Sequence, residues 1–388
     1  MRQKIHFVKF YICQQIKNLT NKYIVIQYRP MKKDYSLTII VPVYNGGLCI
    51  GNCLDSILRQ KDADKFQIIV VNDGSTDNTK SVVARYKIEH TNIMLINQKN
   101  SGVSVARNVG IQHSNGDFIT FIDSDDLVGL KYSAYCQYFQ NARSTTIDNL
   151  CISKSYLPTQ FEKHYFCDSF FTNMLDTAKE TNAEVIMAGK ITVNYIEKYI
   201  KRHIYQDPKI FTNSPKDKST ILKQADCREN ANFCLYSKEL LNKHNLKFVK
   251  GMQLDEDILF CMLACLYAKS VATVPDTTYL YNRHENSLSN MQYREYSNQR
   301  YTLANVQRFS KLLVELSKYP EYSSVYTHWL HVFSHECNKV PTSEYSDKFP
   351  PTRCAECPFA VCNNDCILSA GDNYVLSKLR ENTATLFR

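Results

Sequence analysis

Short apolar runs alternate with helically spaced segments along the first third of the chain. The apolar runs predict four strands, at residues 37–43, 66–71, 93–96 and 118–122. Helices are predicted between them, at residues 49–58, 79–86 and 103–111. Strands joined by helical crossovers form parallel sheets with helices on both faces. The pattern therefore predicts an α/β fold with a mostly parallel, doubly wound sheet.

The regular pattern is interrupted once and then resumes. Residues 131–170 are rich in Tyr, Phe and Thr and predict an irregular insertion. A helix at 174–181 and a strand at 184–188 follow, and then a second compact segment at 221–289 and helices within 291–340. We divide the chain into a leader at 1–35, two halves of the sheet domain at 36–130 and 131–290, and a helical extension at 291–388.

Positive charge is concentrated at the start of the chain. The 388 residues carry a formal net charge of +9, and residues 1–36 hold eight Lys or Arg against one Asp. A protein that binds nucleic acid carries its excess positive charge on its folded surface, so a nucleic-acid partner is not expected. The leader mixes basic and apolar residues, which predicts either a solvated tail or a peripheral contact with anionic lipids of the inner membrane.

The sequence contains no evident membrane span or secretion signal. No run reaches the roughly 18 apolar residues that span a bilayer, and no small-residue cleavage site follows an apolar segment. The chain has 15 Cys, an odd number, and several of them lie within apolar runs. Dispersed cysteines of this kind are typical of thiols in a reducing compartment. We therefore expect a cytoplasmic protein.

Two carboxylates follow the strand predicted at 118–122. Alternate side chains of an extended backbone share a face, so Asp123 and Asp125 point the same way and Ser124 points away. Paired carboxylates at the end of an apolar strand form an oxygen site for Mg²⁺ or Mn²⁺, which would neutralise a diphosphate. The alternative is that these acids cap a following helix, and this is the role we predict for Asp126.

Two other polar segments are candidates for a site. Residues 72–77 are Asn, Asp, Gly, Ser, Thr and Asp, which favour a turn and a helix cap. Residues 255–257 are Asp, Glu and Asp, and they open an apolar run that predicts a buried helix. Acids in a first helical turn stabilise the helix; alternatively, one of them is a carboxylate base that the helix N-terminus keeps ionised at neutral pH. Neither a G-x-G-x-x-G fingerprint nor a P-loop is present.

Six segments with distinctive residues occur in order along the chain. They are VPVYN at 41–45, VNDGSTD at 71–77, NSGVSVARNVG at 100–110, DSDD at 123–126, DED at 255–257 and YNRHENS at 281–287. This series closely resembles the family 2 glycosyltransferases, which are inverting enzymes of the GT-A fold that use nucleotide-diphosphate sugars. The resemblance covers about residues 36–290 and implies that 36–130 binds the nucleotide sugar. It also implies that 131–290 binds the acceptor and supplies a base.

The resemblance also implies a role for individual residues. Asp73 would accept a hydrogen bond from uracil, Asp125 and Asp123 would hold Mg²⁺ or Mn²⁺, and Asp257 would be the general base with Glu256 beside it. Asp123 would in addition touch the ribose or the sugar. Further residues would line the nucleotide-sugar site, namely Pro42, Val43, Tyr44, Asn45, Arg107, Ser124, Arg283 and Ser287.

The implied reaction is transfer of a hexosyl or N-acetylhexosaminyl group with inversion. The donor would be a UDP-sugar and the acceptor a hydroxyl of a glycan or lipid-linked glycan, for a polysaccharide of the cell envelope. One alternative is a non-catalytic binding or assembly module of the same fold. Another is a nucleotidyltransferase, which needs a Gly-rich basic phosphate loop that residues 44–49 do not supply.

A compact cysteine motif lies near the end of the chain. Cys354, Cys357, Cys362 and Cys366 are spaced C-x2-C-x4-C-x3-C. Four thiolates this close can surround Zn²⁺ or an iron–sulfur cluster, and disulfides are the alternative. We predict a metal centre with a structural or partner-docking role, with Zn²⁺ favoured over iron–sulfur.

Overall fold

The structure is a computed structural model of the chain. It describes residues 35–129, 167–194, 199–203, 205, 208–223, 231–252, 255–283, 311–326 and 328–329. All of these belong to one compact unit, Asp34–Arg388. The leader up to residue 34, most of the predicted insertion, Ser287 and the cysteine motif lie outside the described residues.

The described residues include ten strands and seven helices that precede residue 284. The strands are β1 (Tyr35–Val43), β2 (Phe66–Asp73), β3 (Ile93–Gln98), β4 (Gly116–Phe121), β5 (Leu127–Val128), β6 (Val185–Asn194), β7 (Tyr199–His203), β8 (Ile210–Phe211), β9 (Cys234–Ser237) and β10 (Val271–Arg283). The helices are α1 (Ile50–Leu58), α2 (Thr79–Glu89), α3 (Val103–His113), α4 (Phe170–Thr181), α5 (Pro215–Lys223), α6 (Lys238–Lys243) and α7 (Glu256–Tyr267). Residues 311–316 are also helical.

The first half of the sheet is parallel and covered on both faces. Its strand order is β3-β2-β1-β4, with β1 parallel to both β2 and β4, and β2 parallel to β3. Every residue of β2 is buried, because Ile69 and Val71 pack with Ala106 of α3 while Ile68 and Val70 belong to the main core. The four strands and the α/β class predicted from the apolar pattern are confirmed.

The second half joins the first through an antiparallel strand. β9 pairs antiparallel with β4 and β6, and the order continues β9-β6-β10-β5. β6 and β10 are parallel to each other. β9 has only four residues, and β5 and β8 have two each, which is too short for a period-2 pattern to be recognised. The sequence therefore did not predict these strands.

Two helices that carry candidate residues agree with the sequence pattern. α3 lies where a helix was predicted and packs closely on β1, since a Cβ atom on Gly110 would overlap the side chain of Ile40. α7 begins within the acidic triplet and runs to Tyr267, as the apolar run predicted. Within the described residues, no helix is both long and apolar enough to cross a membrane.

Candidate active site

The loops that follow β1 and β2 are joined by hydrogen bonds. The backbone N–H of Asn45 donates to Ser75 Oγ at 2.9 Å, and Asn45 Oδ1 accepts from the backbone N–H of Thr76 at 2.8 Å. The backbone N–H of Gly47 donates to Asp77 Oδ2 at 2.9 Å. Asn45 has a φ of 51°, a left-handed conformation that Asn tolerates better than most residues. The side chain of Asn45, predicted to bind the nucleotide sugar, thus connects two loops of the site.

The other residues predicted near the nucleoside differ in exposure. Pro42 and Val43 are buried within β1, Ser124 is half-buried, and Tyr44 has 52% of its surface exposed. Among these four, Tyr44 offers the largest surface to a ligand. Arg283 ends β10, and its side chain lies outside the described part of the structure.

Asp73 ends β2 and organises the start of α3. Its Oδ1 accepts from Gln98 Nε2 at 2.7 Å and from the backbone N–H of Ser101 at 2.8 Å. Its Oδ2 accepts from the backbone N–H of Gly102 at 2.9 Å, and Gly102 is the N-cap of α3. Asp73 therefore anchors the helix that carries Arg107. Its contact with uracil stays a prediction.

Arg107 links two candidate segments that are far apart in the sequence. Its Nη1 donates to Glu256 Oε1 and its Nη2 donates to Asp123 Oδ1, each at 2.8 Å. The guanidinium carbon lies 5.1 Å from the ring centroid of Phe248. Burial by itself would lower the pKa of Arg107, but the charges of Asp123 and Glu256 outweigh burial and raise it. The side chain therefore remains a cation inside the protein.

Asp123 is held from two sides. Arg107 contacts its Oδ1, and Asn232 Nδ2 donates to its Oδ2 at 2.5 Å. Both carboxylate oxygens of Asp123 therefore accept a hydrogen bond from the protein. Asn232 precedes the unpredicted strand β9 and was not predicted from the sequence as a site residue. Its only sequence signal is a polar residue next to a short apolar run.

Asp126 connects residues 123–126, the acidic loop, to β10 by hydrogen bonds. Its Oδ2 accepts from the hydroxyl of Tyr279 at 2.5 Å, and its Oδ1 accepts from the backbone N–H of Asn282 at 2.8 Å. Asn282 Nδ2 donates to the backbone oxygen of Asp125 at 2.7 Å. The prediction that Asp126 caps a helix is wrong, because the chain continues into β5 and the carboxylate faces a neighbouring strand. Burial raises the pKa of Asp126 well above its usual range, and the charges of Asp125 and Asp123 raise it further.

Glu256 and Asp257 occupy the first turn of α7. Burial raises the pKa of Asp257 to about 8, with the charge of Glu256 adding to the rise and that of Arg107 opposing it. Burial also raises the pKa of Glu256, again against the effect of Arg107. The helix N-terminus alone therefore does not determine the ionisation of Asp257, because burial and the charge of Glu256 raise its pKa. A helix terminus contributes roughly 0.3–1 kcal/mol, which is less than one pKa unit.

The carboxylate oxygens of the site suit a cation that the protein and a substrate would bind jointly. Among the described residues, no group of three His, Cys, Asp or Glu side chains is placed to hold a metal ion. Mg²⁺ is commonly bound through one or two carboxylates together with substrate phosphates, and Asp125 with a diphosphate would match that pattern. The predicted Zn²⁺ or iron–sulfur centre at Cys354, Cys357, Cys362 and Cys366 lies outside the described residues and stays a prediction.

Comparisons with known proteins identify related sequences and folds. Residues 38–131 match the family model described as Glycosyl transferase family 2. The uncharacterized glycosyltransferase EpsJ of Bacillus subtilis is 26% identical over 264 residues, covering 66% of this chain and 64% of EpsJ. The poly(ribitol-phosphate) beta-glucosyltransferase of Bacillus spizizenii is 27% identical over 251 residues, covering 63% of this chain and 32% of that protein. The crystal structure of S. aureus TarS in complex with UDP-GlcNAc matches with a TM-score of 0.54 at 17% identity, covering 90% of each chain.

These matches support the fold and differ in how much they cover. The similarity to TarS confirms the predicted α/β architecture. The chain spans less than two thirds of the length of EpsJ and about a third of the length of the poly(ribitol-phosphate) beta-glucosyltransferase.

Proposed function

Because residues 38–131 match the family model described as Glycosyl transferase family 2, we propose that this chain transfers a sugar from a UDP-sugar to a hydroxyl of a cell-wall glycan or lipid-linked glycan. One observation carries the proposal. Arg107 bonds Asp123 and Glu256 at 2.8 Å each, and so connects the loop predicted to hold the donor to the turn predicted to hold the base. One side chain thus contacts both a residue predicted to bind the donor and a residue predicted to lie beside the base.

Asp257 would act as the base. It would take the proton of the acceptor hydroxyl while the hydroxyl oxygen attacks the anomeric carbon from the face opposite the nucleotide. Attack from that face inverts the configuration of the sugar. A base is most effective when its pKa lies near the working pH, and burial raises the pKa of Asp257 to about 8. Such a base removes a proton more strongly than an ordinary exposed carboxylate, at the expense of being mostly protonated at pH 7.

The loops around Asp73 and Asp125 would hold the donor. Asp125 would bind Mg²⁺ or Mn²⁺, which when bound would neutralise the charge of the departing diphosphate. Asp126 and β10 hold the backbone next to Asp125, so this carboxylate would be presented on a rigid loop. Asp73 would contact uracil, and the exposed Tyr44 would contact the nucleoside.

The names of relatives support the substrate classes. TarS was crystallised with UDP-GlcNAc, and one relative is named for glucosyl transfer to poly(ribitol-phosphate). We infer that the donor is a UDP-hexose or UDP-N-acetylhexosamine and that the acceptor belongs to a cell-wall polymer. The basic leader would attract the chain to anionic lipids at the cytoplasmic face of the membrane, where lipid-linked acceptors are found.

A donor screen tests the proposal. The full chain with Mn²⁺ is mixed with UDP-, GDP-, dTDP- and CMP-sugars, and the thermal midpoint and the release of nucleotide are measured. We expect one or more UDP-sugars to raise the midpoint and to release UDP slowly by hydrolysis. Stabilisation without nucleotide release would favour the binding module, and release of pyrophosphate would favour the nucleotidyltransferase. No response to any of the nucleotide sugars would overturn the proposal.

A further inference from the structure

We propose that Arg107 is a positioning residue that holds the donor-side carboxylate of Asp123 and the base-bearing first turn of α7 in one fixed arrangement. The inference rests on the proposed function, because it assigns those two segments to donor and base. It differs from the role implied by the sequence, in which Arg107 borders the nucleotide sugar.

The geometry of the guanidinium suits a bridge between two carboxylates. Its two Nη atoms donate to Glu256 and Asp123 at equal distances of 2.8 Å. A planar guanidinium fixes the directions of both bonds, whereas a Lys ammonium is a point charge on a flexible stem. The partners come from separate parts of the chain, since Asp123 is 16 positions and Glu256 149 positions from Arg107.

Burial keeps the Arg107 side chain away from a ligand. Only 3% of the residue is exposed, and its guanidinium lies over the ring of Phe248. That ring stacks on Phe260 of α7, with centroids 4.1 Å apart and planes 2° from parallel. Asn108 exchanges two hydrogen bonds of 2.9 Å with the backbone of Phe248 and so fixes the ring next to α3. The guanidinium is therefore packed between α3 and α7.

The Asp123 end of the bridge and the helix that carries Arg107 are both anchored. Asn232 holds the second oxygen of Asp123, so this carboxylate lies between two donors. Asp73 accepts hydrogen bonds from the backbone N–H groups of Ser101 and Gly102, and these bonds fix the start of the helix that carries Arg107. A change in the position of α3 would move the donor loop and the base turn together.

The bridge also affects the charge around Asp257. Within the described residues, the charges that shift the pKa of Asp257 are those of Glu256 and Asp255, which raise it, and that of Arg107, which lowers it. Loss of Arg107 alone would remove the cation from this set and leave the acids to repel each other. Such a variant should thus alter the pH dependence of turnover as well as its maximum.

The test compares Arg107→Lys with Arg85→Lys, since Arg85 is exposed on α2. We expect Arg107→Lys to lower kcat about tenfold or more, because small displacements of reacting groups are costly. We expect its KM for the donor to change less than about threefold, since the guanidinium would not touch the donor. Arg85→Lys should match the wild type in both. A rise in KM alone would show instead that Arg107 binds the donor and would overturn the proposal, as would a wild-type kcat.

A double variant guards against loss of folding. Arg107→Met with Glu256→Gln removes both charges of the buried Arg107–Glu256 pair, so neither is left buried without the other. We expect the folded double variant to bind the donor and to have a lowered kcat. Its half-maximal rate should not move to a higher pH, because the lost charge of Glu256 raised the pKa of Asp257 more than the lost charge of Arg107 lowered it. An unchanged kcat in this variant would refute the bridge. Failure of the proposed function is a separate result, since wild-type protein would then transfer and hydrolyse nothing.

Discussion

Burial raises the pKa of three acids near this site, Asp126, Glu256 and Asp257. Asp257 is half-buried in the first turn of α7, and burial with the charge of Glu256 raises its pKa to about 8 despite the helix N-terminus and the nearby Arg107. A carboxyl whose pKa is higher in the folded than in the unfolded state costs stability once the pH exceeds the unfolded value. That cost grows up to the folded pKa, so the same burial that strengthens the base weakens the fold between about pH 4 and pH 8.

Replacing the base should separate activity from stability. We expect Asp257→Asn to keep near-normal affinity for the nucleotide and to lose transfer, since an amide cannot accept the proton. We also expect a higher thermal midpoint than the wild type, with a larger difference at pH 8.5 than at pH 5.5, because only the wild type carries the buried charge. Asp117→Asn, an exposed change on β4, is the control and should alter neither property. A variant that retains most of its turnover would refute the assignment of the base.

The hydrogen bond from the Tyr279 hydroxyl to Asp126 offers the most direct test of how β10 holds the acidic loop. Tyr279→Phe removes a bond to Asp126 and should raise the Mn²⁺ concentration for half-maximal activity about tenfold, as changes beside metal ligands often do. Tyr86→Phe is the matched control, since its hydroxyl bonds to Gly51 and Asp55 of α1. Each variant should lose about 1 kcal/mol of unfolding free energy. If both variants shift the Mn²⁺ concentration for half-maximal activity equally, the hydrogen bond from Tyr279 to Asp126 has no part in metal binding.

At the scale of elements, α3 is the structural link between the donor loops and the base helix. Asp73 holds its N-terminus, Arg107 extends from its middle, and Gly110 allows it to approach β1 closely. The position of α3 on the sheet therefore determines where Arg107 holds the carboxylates of Asp123 and Glu256.

A Cβ atom on α3 should test this close approach. Gly110→Ala would overlap Ile40, and we expect a loss of about 1–3 kcal/mol of unfolding free energy although Ala favours helices. Gly51→Ala in α1 is the control, because its Cβ atom would lie 3.3 Å from the hydroxyl of Tyr86. The control should change stability by less than about 1 kcal/mol. Urea unfolding would measure both, and equal midpoints for the two variants would contradict the tight packing of α3.

At the scale of the whole molecule, the sheet brings separate motifs together at the carboxyl ends of its parallel strands. Parallel strands β1, β2 and β4 end at Val43, Asp73 and Phe121, and ligands of open α/β sheets bind beyond the carboxyl ends of such strands. The segment before β9 and the strand β10 then add Asn232 and Tyr279 from the second half of the chain. The proposed site is thus built by both halves of the sheet.

Removal of divalent metal should affect the whole reaction. We expect EDTA to abolish nucleotide release from a UDP-sugar and Mn²⁺ or Mg²⁺ to restore it, because the departing diphosphate would lose its counter-charge. Asp125→Asn should need far more Mn²⁺ for the same rate, while Asp117→Asn should respond like the wild type. Full activity in EDTA would remove the metal from the proposal.

The sequence by itself determined the local elements and the order of the motifs. Strands β1 to β4 and helices α1, α2, α3 and α7 follow from apolar periodicity and turn residues, which act over a few neighbouring positions. Only the tertiary structure decided that Asn45 joins two loops, that Asp126 faces β10, that Asn232 holds Asp123 and that Arg107 bridges to Glu256. These contacts join residues up to 149 positions apart, and the pKa of Asp257 depends on the water and charges that such contacts exclude or supply. No local pattern contains that information, because it arises when distant segments are packed together.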